Sequence, residues 1–321
     1  MSKAKVLVTC RWPEAAEQAM LNAFDADIIG LNKERSEEPF AHYLTQYDYI
    51  CPTITDPISS EVLRGGGFRT KAFCNFGAGV NHIDLKACKD AGVIVTNTPD
   101  VLTEDTADIA ILLALMAARR AGEGERLVRA QGWPGWSPTS MLGMCLTGKT
   151  LGLVGFGRIG QAMALKAHHA FGMKIIYYSR TPTGEDEFPF PVKYRPLDVL
   201  IRESDVISLH APGGPATKHL INAERIAEMK QSAIVVNTAR GDLIDEDALI
   251  AALKSRTIAA AGLDVFEGEP HLRPAWLELE NAVLLPHLGS ATQETRTAMG
   301  LRSLANLQAI VAGQEPPDRV A

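Results

Sequence analysis

The segment Leu151-Gly-Leu-Val-Gly-Phe-Gly-Arg-Ile-Gly160 limits what this chain can fold into more than any other. Residues 151–154 are short and apolar and read as a buried strand. Gly155-x-Gly157-x-x-Gly160 follows at once, and from Arg158 the pattern is helical. A strand that empties through a glycine turn into a helix is the dinucleotide-binding fingerprint; three glycines without that context often serve packing alone. Gly155 permits the tight turn, Gly157 lets backbone approach a pyrophosphate, and Gly160 lets the helix sit close on the sheet. The helix N-terminus, with Arg158 and Ile159 in its first turn, offers unpaired N–H groups and a positive dipole end to that anion.

A length of 321 residues leaves room for two domains, each with its own core. The net charge of −6, with no Lys/Arg cluster longer than a pair, argues against nucleic acid or an anionic membrane as partner. Cys10, Cys51, Cys74, Cys88 and Cys145 are odd in number and widely spaced, without a Cys-x-x-Cys pair. They fit reduced thiols in a cytoplasmic protein better than a disulfide framework or a zinc site, so no metal is expected. The apolar run 6–9 is too short and too early for a cleavable signal. The longest such run, 109–118, stops at Arg119-Arg120, cannot span a bilayer, and reads as a buried helix.

Strand signals recur at residues 5–9, 26–29, 47–51, 71–74 and 93–95, and after the fingerprint at 173–178, 206–209, 233–237, 259–263 and 283–285. Helical patterns lie between most of them, notably at 13–24, 84–90 and 103–120, and again at 296–312. Such alternation predicts parallel α/β construction. The Pro-led junction Thr98-Pro99-Asp100 is the candidate domain boundary. A helix after the last strand has to pack somewhere, the first domain being one place. Gly65-Gly-Gly67 reads as a flexible turn, and the proline- and charge-rich stretch 182–196 as a surface connection.

Asn75-Phe-Gly77-Ala-Gly79-Val80 follows a strand directly. Small residues there let backbone N–H groups face a ligand anion, though spacing alone does not separate this from an ordinary turn. Gly132-Trp-Pro-Gly-Trp136-Ser-Pro138 cannot be a regular element. Its tryptophans are either interface anchors or parts of a loop packed on its own domain.

In an NAD site an acidic residue about 20 positions past the glycines accepts hydrogen bonds from the ribose. The corresponding residues here are Ser179, Arg180 and Thr181, and the acid is missing. A carboxylate would repel the extra phosphate of NADP by about 4 kcal/mol at close range. A hydroxyl and an arginine remove that repulsion and supply a ligand, so NADP(H) is the expected cofactor, with NAD(H) use still open. Further on, Arg240, Glu269 and His287 each follow the carboxyl end of a predicted strand in one sheet. An arginine can grip a carboxylate and polarise a carbonyl, a histidine can protonate its oxygen, and a glutamate can favour and orient the protonated ring. Each of the three also has a purely structural reading.

These stretches together resemble the D-isomer-specific 2-hydroxyacid dehydrogenase family, most closely its glyoxylate/hydroxypyruvate reductase branch. The matching text is Gly79-Val-Asn-His-Ile-Asp-Leu85, Thr106-Ala-Asp-Ile-Ala110, Gly155-Phe-Gly-Arg-Ile-Gly-Gln161, Val236-Asn-Thr-Ala-Arg-Gly-Asp242, Ala261-Gly-Leu-Asp-Val265 and Leu285-Pro-His-Leu-Gly-Ser290. It spans about residues 71–297 and, more loosely, the first 70. The resemblance implies that Arg240, Glu269 and His287 are catalytic and that the backbone at Ala78 and Gly79 binds the substrate carboxylate. It implies that Asp264 holds the nicotinamide amide, with further cofactor contacts at Thr106, Thr238, Gly289 and the His210-Ala211-Pro212 turn. Trp136 matches a tryptophan that reaches from a dimer partner into the neighbouring active site. Many relatives carry aspartate where this chain has Asn81, a departure confined to a local loop contact.

The implied architecture is α/β with two Rossmann-like domains, each a mostly parallel sheet flanked by helices. The substrate domain is discontinuous, 1–98 plus 288–321, and the dinucleotide domain is 99–287. The implied activity is reduction of glyoxylate, hydroxypyruvate or both by NADPH in a homodimer. Another 2-oxo acid, such as pyruvate or a sugar-derived keto acid, is the rival substrate. A nucleotide-sensing binding protein is the rival class, and Glu269 disfavours a formate dehydrogenase, where glutamine stands.

Overall fold

The computed structural model describes residues 4–37, 39–64, 66–182 and 188–321. The chain forms two compact units, Met1–Leu102 with Ser290–Ala321, and Thr103–Gly289. Both are α/β. Among the described residues no helix is long and apolar enough to cross a membrane. No group of three or more His, Cys, Asp or Glu among them is placed to hold a metal ion.

In the first unit, β1 (Lys5–Val8), β2 (Asp25–Ile28), β3 (Tyr49–Cys51), β4 (Ala72–Cys74) and β5 (Ile94–Thr96) form one sheet in the order β2-β1-β3-β4-β5, all parallel. Successive side chains of a strand face opposite ways. Val6, Val8, Tyr49, Cys51, Ala72 and Cys74 therefore join one core, and Leu7, Ile50, Phe73 and Val95 the other. With both faces covered, the inner strands are nearly all apolar, whereas edge strand β2 reads Asp25-Ala-Asp-Ile28 and buries only Ala26 and Ile28. The final helix, Gln293–Val311, returns to this unit and buries Leu304 and Leu307 in the first of these cores. Beyond it the chain lies along β5: Val95 N donates to Ala321 O at 3.0 Å and Val320 N to Val95 O at 2.8 Å.

Asp318 pins that tail, accepting from Arg302 Nε at 2.6 Å, Arg302 Nη2 at 2.7 Å and Asn306 Nδ2 at 2.9 Å. The Arg302 bond holds its carboxyl below the usual range, against the opposing pull of burial. A carboxylate whose folded value is depressed stabilises fully above its unfolded value and loses that contribution as pH falls through the folded one. Asp318→Asn is thus expected to cost about 1–3 kcal/mol at pH 7, and to cost less once pH falls below about 3.9. Urea unfolding at pH 7 and pH 3 checks this, an equal loss at both assigning the effect to packing rather than charge.

In the second unit, β6 (Thr150–Val154), β7 (Lys174–Tyr178), β8 (Val192–Tyr194), β9 (Val206–Leu209), β10 (Ile234–Asn237), β11 (Ala260–Leu263) and β12 (Ala282–Leu284) form a second parallel sheet, in the order β12-β11-β10-β9-β6-β7-β8. Ile234 and Val236 enter the core shared with helices Thr103–Ala118 and Arg158–Phe171, while Val235 faces helices Leu197–Glu203 and Glu246–Lys254. From β6 the chain moves outward to β7 and β8, then returns to β9 on β6's other side. Open α/β sheets bind ligands at such a reversal, beyond the carboxyl ends of the strands.

Two local expectations need correction. The stretch 182–196 is not merely a surface connection, because it contains edge strand β8, with Phe190 and Val192 buried. Residues 183–187 of that stretch, like Gly65 of the glycine run, lie outside the described residues. The helix expected over 103–120 ends at Ala118, and after a left-handed Arg120 (φ 54°) a second helix, Ala121–Arg129, begins with no buried residue.

Candidate active site

The glycine turn sits at the β6/β9 reversal. Gly155 has φ 97°, and a Cβ there would stand 2.6 Å from Ala211 N, so the turn is pressed against the loop leaving β9. A Cβ on Gly160 would meet Gly155 O at 2.5 Å, which is why the helix can start so close. Gly157 differs: a Cβ there meets nothing within 4 Å. The protein's own packing does not require glycine at that position, and the open space suits an approaching pyrophosphate. Among the described residues the helix Arg158–Phe171 has no side-chain cap and the buried Thr238 Oγ1 has no hydrogen-bond partner. These features fit a nicotinamide dinucleotide.

Other expected cofactor residues surround the turn unevenly. Gly155 N donates to Tyr178 O at 2.8 Å, placing Ser179, Arg180 and Thr181 beside it. Ser179 Oγ donates to Thr181 O at 2.6 Å, and Arg180 and Thr181 are exposed. The His210 ring turns away into the core, 2.9 Å from Ser208 Oγ and 3.2 Å from Met163 Sδ. Burial pushes it down to about 4, so it is neutral. The backbone of His210 and Ala211 lines the turn.

Past β10, Asn237 accepts from Ala239 N at 3.0 Å and donates through Nδ2 to Arg240 O at 2.8 Å, closing the turn that presents Arg240. Arg240 Nη1 donates to Ala239 O at 2.6 Å, while among the described residues its buried Nε has no partner. Burial pulls its guanidinium below the ordinary value, opposed by the charges of Glu269 and Asp242. Past β11, Glu269 Oε1 stands 2.7 Å from His287 Nδ1 and Oε2 accepts from Phe266 N at 3.2 Å. Burial pushes the Glu269 carboxyl up, but His287, that amide and the Arg240 charge together hold it low. The structure thus brings Arg240, Glu269 and His287 together.

His287 rides on a braced loop with its own backbone left-handed (φ 55°). Asp264, only 1 % exposed, accepts from Leu288 N at 2.6 Å and Gly289 N at 2.8 Å, and its carbonyl accepts from His287 N at 2.9 Å. Burial pushes its carboxyl up, against those two amides. Thr106 Oγ1 donates to Gly289 O at 3.1 Å. Asn237 and the bracing use of Asp264 were not foreseen; the available signal was a lone polar residue closing an apolar strand. Ala78 and Gly79 belong to the other unit, and Trp136 is 82 % exposed on an irregular segment.

The family model for the D-isomer specific 2-hydroxyacid dehydrogenase NAD binding domain matches residues 111–289. A glyoxylate reductase of Thermococcus litoralis is 41% identical over 322 residues, covering 99% of this chain and 97% of that protein. A glycerate dehydrogenase of Hyphomicrobium methylovorum is 38% identical over 317 residues, 98% of each. Among solved structures, the NADPH-dependent glyoxylate/hydroxypyruvate reductase of Sinorhizobium meliloti in complex with NADP and malonate is similar at 33% identity. Its TM-score is 0.87, with 100% of this chain and 97% of that one covered.

Proposed function

This chain belongs to the D-isomer specific 2-hydroxyacid dehydrogenase family, and on that premise we propose that it reduces glyoxylate, hydroxypyruvate or both with NADPH. The observation that carries the proposal is the Glu269–His287 pair at 2.7 Å beside a largely buried Arg240. Glu269 occupies Nδ1 and fixes the ring's orientation, which leaves His287 Nε2 to give its proton to the substrate oxygen. Arg240 grips the substrate carboxylate and polarises the 2-oxo group, low water access strengthening both effects. The amides of Ala78 and Gly79 are further carboxylate ligands. A bound nicotinamide supplies hydride to the carbonyl carbon, and the product is the 2-hydroxy acid. On this reading Thr103–Gly289 is the dinucleotide unit and the other the substrate unit, and Trp136 reaches toward the site of a homodimer partner.

The NADPH preference rests on Ser179 and the exposed Arg180 standing where an acid would exclude the extra phosphate. The named NADPH dependence of the Sinorhizobium protein supports it. Initial rates crossing glyoxylate, hydroxypyruvate and pyruvate with NADPH and NADH test the proposal, on preparations that sediment as dimers. Pyruvate as the best substrate, or a tenfold preference for NADH, would overturn the corresponding half, and a monomer the assembly. Arg180→Asp is expected to lower kcat/KM for NADPH by about tenfold to hundredfold while sparing NADH.

A further inference from the structure

The loop after β4 carries a backbone arrangement that its glycines alone do not explain. Gly77 O accepts from Asn75 Nδ2 at 3.0 Å and from Thr98 N at 3.0 Å. Ala78 O accepts from Asn97 Nδ2 at 2.7 Å, and Gly79 O from Asn75 Nδ2 at 3.1 Å. Three successive carbonyls are therefore tied down by two asparagine amides. In a trans peptide the N–H points opposite to its C=O. The N–H groups of Ala78 and Val80 are consequently turned away from Asn75, and that of Gly79 away from Asn97. Among the described residues none of these three N–H groups has a hydrogen-bond acceptor. Backbone N–H groups of successive residues that are left without an acceptor are available to an anion.

Asn75 is fully buried, and its orientation is decided by its partners. Only the NH2 can serve two carbonyls, so Oδ1 must face the other way. It lies 3.0 Å from His82 Nε2, which therefore donates to it. We infer that Asn75, locked by His82, is a positioning residue that presents the amides of residues 78–80 to the carboxylate of the 2-oxo acid. The inference rests on the proposal that Ala78 and Gly79 bind that carboxylate. It adds that the side-chain amide of Asn75, rather than glycine flexibility, creates the affinity.

Asn75→Asp keeps the shape but places a carboxylate against two carbonyl oxygens. It is expected to raise KM for glyoxylate and Ki for malonate by about tenfold to hundredfold. Interactions equal in ground and transition states change KM and leave kcat in place, so kcat should change by less than about threefold. NADPH affinity should be unaltered. His82→Ala should weaken malonate binding in the same direction, and His82→Gln, which can donate to Asn75, should restore it; these variants serve if Asn75→Asp does not fold. Amide NMR of the NADPH-bound protein titrated with malonate separates the two claims. Shifts at Ala78, Gly79 and Val80 in the wild type, lost or weakened in the variants, are the expected result. Unmoved amides in the wild type would sink the carboxylate proposal and this inference with it. Equal shifts and equal Ki in wild type and variants would overturn the inference alone.

Discussion

Replacing His287 by alanine is expected to lower kcat for 2-oxo acid reduction by about 10²–10⁴-fold, the usual worth of a positioned acid. NADPH affinity should be largely kept, because the glycine turn lies at a different stretch of the same sheet edge. The left-handed backbone of His287 complicates the alanine variant, since a Cβ in that conformation without a compensating side chain costs about 1–2 kcal/mol. Asparagine tolerates the left-handed region and cannot act as the acid. His287→Asn should therefore lose the same activity with a melting temperature near the wild type. Stopped-flow hydride transfer and cofactor fluorescence titration measure the two quantities. Full activity in either variant would refute the role.

Arg240→Lys is the second large effect, expected to reduce kcat/KM for the oxo acid by about 10²–10³-fold, as for truncating a buried charge pair. Lysine keeps the charge but loses the planar fork that meets a carboxylate with two parallel N–H groups. It also cannot reproduce the Arg240 bond to Ala239 O from the same trajectory. On the proposal that Arg240 both binds and polarises, KM should rise and kcat fall together, unlike the KM-only signature expected at Asn75. Steady-state kinetics with glyoxylate distinguishes the patterns. A variant with unchanged kcat would restrict Arg240 to binding.

The sequence made the inner sheet strands legible because both faces of each are buried, so 206–209 or 233–237 could hardly be anything else. It concealed β8, three residues at a sheet edge among prolines, where only Val192 is fully buried. It concealed the helix Ala121–Arg129 as well, which buries nothing and is set off by a left-handed Arg120, a conformation that arginine does not announce. Arg240, Glu269 and His287 could be named from their strand ends, but their convergence depends on β10, β11 and β12 being neighbours in register. The turn at residues 75–80 stayed ambiguous for a related reason. What distinguishes it is a bond from Asn97, 19 residues away, and no local spacing encodes that.

One chain of hydrogen bonds crosses this edge of the sheet. The Arg240 turn is closed by Asn237, whose carbonyl accepts from Asp264 N at 2.9 Å, and Asp264 in turn grips the loop of His287. Arg240 and His287 thus hang from backbone segments joined by this one chain of bonds, while their side chains project from it. For the history of such an enzyme this separates two kinds of change. Substitutions along the chain of bonds disturb the reaction for every substrate alike, so they offer selection nothing to work with. Acceptance of a longer or bulkier acid has to be gained at positions that take no part in it, and the chemistry can stay constant while the diet of the enzyme drifts.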